Sequence, residues 1–113
     1  MSKRELTIPV SELAAICNGV MGSVVKDYHY CMENKDKCIK TSEDASRYSA
    51  WLEGAVSALE TILTLYEAQN IYFLFNHKSE HEEFEKLKEV VFNFKFRVIG
   101  KMDDDINHIV TNK

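Results

Sequence analysis

Little in this chain would interrupt a helix, and little in it carries chemistry. There is one proline, Pro9, and the four glycines, Gly19, Gly22, Gly54 and Gly100, all lie in or at the ends of apolar-periodic segments. No glycine-rich loop is therefore available to cradle a phosphate. Three cysteines, Cys17, Cys31 and Cys38, cannot all pair within one chain, which fits free thiols in a reducing compartment. The longest apolar run, Ile71 to Phe75, is far short of the roughly 20 residues that span a bilayer. Residues 1–10 lack the apolar centre of a secretory signal, so a cytoplasmic location is expected. Basic clusters are missing too: Lys35, Lys37 and Lys40 are surrounded by Glu33, Asp36, Glu43 and Asp44, and the net charge is −4. A nucleic-acid partner, held mainly by Lys and Arg on phosphates, is not expected.

What is present is ordinary for a folded domain. Hydrophobic residues make up 45% and charged residues 28% of 113 residues, which excludes wholesale disorder and sets the size at a single domain. Residues 1–10 read as an entry arm in which Leu6, Ile8 and Val10 alternate around Thr7 and Pro9, with Ser11 as a helix N-cap. A first helix over 11–33 carries Leu13, Cys17, Val20, Val24, Tyr28 and Cys31 on one side. Ala15, Gly19, Gly22 and Ser23 gather on the other, where small residues suggest either close approach of another backbone, with Gly54 as a candidate crossing point, or a kinked or frayed helix. Residues 34–41 read as a polar loop, and Thr41 with Asp44 caps a second helix over 42–70. That helix separates Tyr48, Leu52, Ala55, Leu59, Ile62, Leu63 and Tyr66 from a polar flank without interruption.

The last third of the chain supports two periodicities. Phe84, Leu87, Val91, Phe94, Val98, Met102, Ile106 and Ile109 follow helical spacing, while Phe92, Phe94, Phe96 and Val98 alternate as a strand would. Ser79 followed by Glu82 reads as a capping box, and Glu80 to Glu89 is rich in helix formers. We therefore expect a helix over 79–99, ended by Gly100, and a short fourth helix over 103–111 capped by Asp103 to Asp105. The helical reading leaves Phe92, Phe96 and Ile99 as a second apolar stripe in need of a cover. The fold class expected is all-α, a bundle of three long helices with a short fourth.

Candidate catalytic groups are weak. His77 and His81 have a four-residue spacing but not the His-Glu-x-x-His order of a zinc protease, and no metal is expected. His29 and Cys31 fall on diverging sides, and Cys31 belongs to an apolar stripe. Glu53, Glu60 and Glu67 repeat every seven residues as an acidic ridge, read as solvated or as a surface for a basic partner. The expected function is non-enzymatic and cofactor-free: a regulator, inhibitor or adaptor that binds another protein, in the style of phage or mobile-element accessory proteins, though no residue motif carries that association. A homo-oligomer is expected through Phe92, Phe96 and Ile99 or through Gly19 and Gly22. The alternative is a module sequestering a small anionic or aromatic ligand such as a nucleotide, with Arg47 and Trp51 as the binding pair.

Overall fold

Apolar residues spaced three and four apart recur along nearly the whole chain, and in a computed structural model that describes residues 8–111 they form helices throughout, with no strand among the described residues. Helix α1 spans Val10–Glu33, α2 Lys35–Cys38, α3 Ser42–Gln69, α4 Ile71–Asn76 and α5 Lys78–Asn93. A π-helical turn over Phe94–Ile99 then leads without a break into α6, Gly100–Thr111. The all-α expectation holds, with three long helical rods of which the last is α5, the π turn and α6 joined. Leu6 of the entry arm lies outside the described residues, and Ile8 packs against the core.

The first two rods follow their patterns. Val10, Leu13, Cys17, Met21, Val24, Tyr28 and Cys31 are the buried positions of α1. Ala45, Leu52, Val56, Leu59, Leu63 and Tyr66 are those of α3. Thr41 and Asp44 form the expected capping box. Each rod stops at an asparagine in the same way. Asn34 (φ −121°, ψ 31°) and Asn70 (φ −126°, ψ 26°) leave helical geometry, and each side-chain amide donates to the carbonyl four residues back, Tyr30 and Tyr66, at 2.9 Å. A short helix begins at the next residue in both cases, so residues 34–41 contain a helical turn and the apolar run Ile71–Phe75 is helical.

Cross-links from distant sequence set the directions of the rods. Tyr66 Oη donates to the Ile8 carbonyl (2.7 Å) and Tyr48 Oη to that of Asp27 (2.8 Å), so α1 and α3 run antiparallel. Val10 N–H donates to Glu80 Oε2 and Tyr28 Oη to Asp105 Oδ2, both 2.8 Å, so α1 runs parallel to the C-terminal rod. Glu80 thereby supplies the first turn of α1 with the acceptor expected from Ser11; the N-cap is Pro9 and has no side-chain bond. A carboxylate there also meets the partial positive end of the helix. Tyr66 stacks on Phe84 in the core, ring centroids 5.6 Å apart. The molecule is elongated, 57 × 28 × 18 Å, with a radius of gyration of 17.3 Å against about 13 Å for a compact domain near this size.

The C-terminal rod departs from expectation. No capping box forms at Ser79: the rod starts at Lys78, after a turn in which His77 Nδ1 pairs with the Phe73 carbonyl and Asn76 Nδ2 donates to that of Tyr72. Gly100 ends nothing, since its φ of −57° and ψ of −44° are helical, and Asp103 to Asp105 lie inside the rod rather than at a start. The buried positions explain why. They are Phe84, Leu87, Val91, Phe94, Ile99, Met102 and Ile106. The steps run 3, 4, 3, 5, 3, 4, and the single step of five coincides with the π turn. Bonding from i to i+5 accommodates one extra residue, which carries Ile99 into the core where α geometry would place Val98. Ile99 is 3% exposed and so does not belong to an outward stripe with Phe92 and Phe96.

The small-residue face of α1 has no counterpart among the described residues. A Cβ at Gly19, Gly22 or Gly54 would meet nothing within 4 Å, so the expected crossing at Gly54 does not occur; Gly19 and Gly22 face solvent opposite the core stripe. Gly22→Ala should therefore stabilise the fold by about 0.5–1 kcal/mol in urea titrations, the helix-propensity difference alone. The π turn makes a sharper prediction. Deleting Arg97, an exposed residue of that turn, should restore continuous α geometry and leave both flanking stripes in place. Deleting exposed Ser57 from the middle of α3 should rotate half of that helix out of the core. Circular dichroism melts should show a cooperative transition for the first variant and its loss for the second.

Candidate functional site

Once the core stripe of α3 turns inward, its heptad-spaced glutamates Glu53, Glu60 and Glu67 line the edge that meets the C-terminal rod. The two helices run antiparallel there. Lys88 Nζ lies 3.6 Å from Glu67 Oε2, and Lys95 Nζ lies 3.1 Å from Glu60 Oε1. Lys95 is therefore tied across the groove, and its ammonium also lies 5.4 Å from the centre of the Phe96 ring. All four charged side chains are 42–50% exposed, so each pair contributes at most about 1 kcal/mol. These bridges span the groove without locking it.

The next rung reverses the chemistry. The extra residue of the π turn brings Asp103, not a lysine, opposite Glu53. Burial pushes the Asp103 carboxyl above its ordinary range; the charges of Glu53 and Asp104 push the same way, against the Ser49 hydroxyl. Ser49 occupies a core-spaced position of α3 between Ala45 and Leu52. Neither Ser49 Oγ nor Asp103 Oδ1 makes a well-formed hydrogen bond, although both atoms are buried. Sequence reading missed this polar spot. Its one signal is a serine where the three-four spacing of α3 calls for an apolar residue.

Phe92 and Phe96 rise on the other side of the groove, 60% and 59% exposed, with ring centroids 4.6 Å apart. They are the exposed apolar pair that the sequence predicts, without Ile99, which forms floor beside Phe96. Three depressions lie end to end along the groove. The central one, ≈ 540 Å³, is floored by Leu63 and Val91 with Phe92 at its side. One of ≈ 360 Å³ continues past Glu60 to Val56, Phe96 and Ile99. One of ≈ 390 Å³ lies beyond the Glu67–Lys88 bridge, where Ile71 and Phe75 of α4 meet Leu74 and His81. Phe75 is the most exposed large apolar side chain described, at 83%.

The remaining candidates are dispersed. His77 is held against Phe73, with ring centroids 4.5 Å apart, and His81 lies 3.4 Å from Glu85. Among the described residues no group of three His, Cys, Asp or Glu side chains is placed to hold a metal ion. His29 and Cys31 open onto different grooves. Burial pushes the Cys31 thiol up to about 11, opposite to what a nucleophile needs, and raises Cys17 as well. Trp51 lines a cleft of ≈ 390 Å³ with Tyr30, Cys38, Tyr48 and Asp27. Arg47 instead pairs with Glu43 at 3.0 Å on the exposed side of α3. The charged group in the cleft is thus a carboxylate, which does not suit an anionic ligand. Gly19 and Gly22 lie on the exposed side of α1, with open space above both.

No family model, characterised protein or solved structure matches this chain. No helix among the described residues is long and apolar enough to cross a membrane.

The Glu53–Asp103 rung gives a pH test. Because the folded state raises the Asp103 pKa, the native protein holds this proton more tightly than the unfolded chain. The group's favourable contribution is complete below the unfolded value of about 3.9 and is lost as pH rises through the folded pKa. Asp103→Asn should therefore raise the denaturation midpoint at pH 7. The difference from the parent chain should shrink as pH falls toward the unfolded value, read from paired urea titrations across that range.

Proposed function

We propose that this chain is a non-enzymatic protein-binding module, acting as a regulator or adaptor through the groove between α3 and the C-terminal rod. The observation that carries the reading is the Phe92–Phe96 pair. Two adjacent phenyl rings stay three-fifths exposed although the core beneath them is complete without them. Aromatic side chains that pack in pairs beside a concave apolar floor have the composition of interface anchors, and truncating such anchors costs 2 kcal/mol or more in many complexes, on the order of a thirtyfold loss of affinity.

The test is comparative capture from a native lysate, with the parent chain and the Phe92→Ser/Phe96→Ser double variant immobilised side by side. Both rings are exposed, so the variant should keep its circular dichroism spectrum. Proteins held by the parent should be lost from the variant. Equal recovery by both, or recovery by neither, removes this reading.

A further inference from the structure

Six carboxylates line the three end-to-end depressions, Glu53, Glu60 and Asp103 in one half and Glu67, Glu85 and Glu89 in the other, against two lysines, Lys88 and Lys95. Both lysines are already held across the groove by exposed, weak bridges. Above an apolar floor that includes Val56 and Leu63, the two walls differ: Phe92 and Phe96 stand on the C-terminal rod, while the α3 wall presents Glu53, Ser57, Glu60 and Thr64. A ligand filling this groove needs an apolar edge toward the phenyl rings and positive charge toward α3.

The shape selects the form of that ligand. The groove follows two antiparallel helices from His81 to Asp103, about 33 Å at 1.5 Å per residue. The described residues offer no strand edge to which an extended peptide could add. We propose that the groove receives one amphipathic, basic helix of a partner protein, about 20 residues long, lying along α3 and the C-terminal rod as an added helix of the bundle. Its apolar edge packs on Phe92 and Phe96 and reaches Ile71 and Phe75 at the far end. Its lysines or arginines pair with Glu60 and Glu67 in place of Lys95 and Lys88, which swing out to solvent. Charge also decides against a second copy of this chain seated groove to groove, since that pairing would face six carboxylates with six more.

This inference rests on the protein-binding reading and narrows it to one occupant. The probes are two fluorescently labelled peptides of about 20 residues with identical leucines at three-four spacing and lysine or glutamate at every flanking position. Fluorescence anisotropy should show the lysine peptide binding and the glutamate peptide at least tenfold weaker, with affinity for the lysine peptide falling as salt rises. Phe96→Ser should weaken the lysine peptide at least tenfold, and Glu60→Lys/Glu67→Lys should shift preference toward the glutamate peptide. Light scattering on the free chain runs in parallel.

Equal binding of both peptides, binding of neither, or binding indifferent to Phe96→Ser overturns the proposal. So does concentration-dependent dimerisation abolished by Phe96→Ser, which assigns the groove to a second copy. If lysate proteins still depend on Phe92 and Phe96 while the lysine peptide fails to bind, the protein-binding reading stands and only the basic helix is lost.

Discussion

The packing of α3 against the C-terminal rod governs most of this structure, and it depends on one inserted residue. A helix of this length drifts out of register with its neighbour unless its apolar spacing is held. The rod from Lys78 to Thr111 holds it with the π turn at Phe94–Ile99, which keeps Phe84 to Phe94 and Ile99 to Ile106 on the same side. The end of the groove nearest α6 follows from that turn. It buries Ile99 beside the outward Phe96, and changes the charge ladder from Glu67–Lys88 and Glu60–Lys95 to Glu53–Asp103. A helix without the extra residue would have offered a different set of side chains to its neighbour.

The parts of this architecture legible in the sequence are those with unbroken spacing. The inward faces of α1 and α3 follow three-four steps, and the cap at Thr41 is local in sequence, so both could be read directly. The C-terminal rod is ambiguous in sequence because Val98 as the continuation of Phe94 gives even steps of four to Met102 and Ile106, and hides the step of five. On that spacing Ile99 is surplus and Gly100 reads as a stop. The starts of α1 and α5 depart from their local cap signals for a different reason. The first amide of α1 bonds to Glu80, seventy residues away, and α5 follows a turn held by the His77–Phe73 pair rather than a cap at Ser79.

The candidate site was legible in halves. Glu53, Glu60 and Glu67 stand out as a heptad ridge, and Phe92 with Phe96 as an apolar pair too many. That they face each other across one groove depends on the antiparallel register of two helices, which spacing within either helix does not contain. Lys88 and Lys95 follow the same seven-residue step as the glutamates they meet, so the ladder becomes visible once the pairing is known. The Gly19–Gly22 face shows the converse: a pattern clear in sequence that meets no partner among the described residues.

The acceptor at the start of α1 bears on how the molecule is made. Val10 bonds to Glu80, seventy residues later, and Tyr28 bonds to Asp105, seventy-seven later. During synthesis α1 therefore emerges well before the acceptor for its first amide. Until the C-terminal rod arrives, α1 and α3 can only pair with each other, leaving their inward stripes half covered and open to other apolar surfaces. Chains released before Glu80 would carry both stripes unsealed, so for this protein an interrupted translation product is a sticky one.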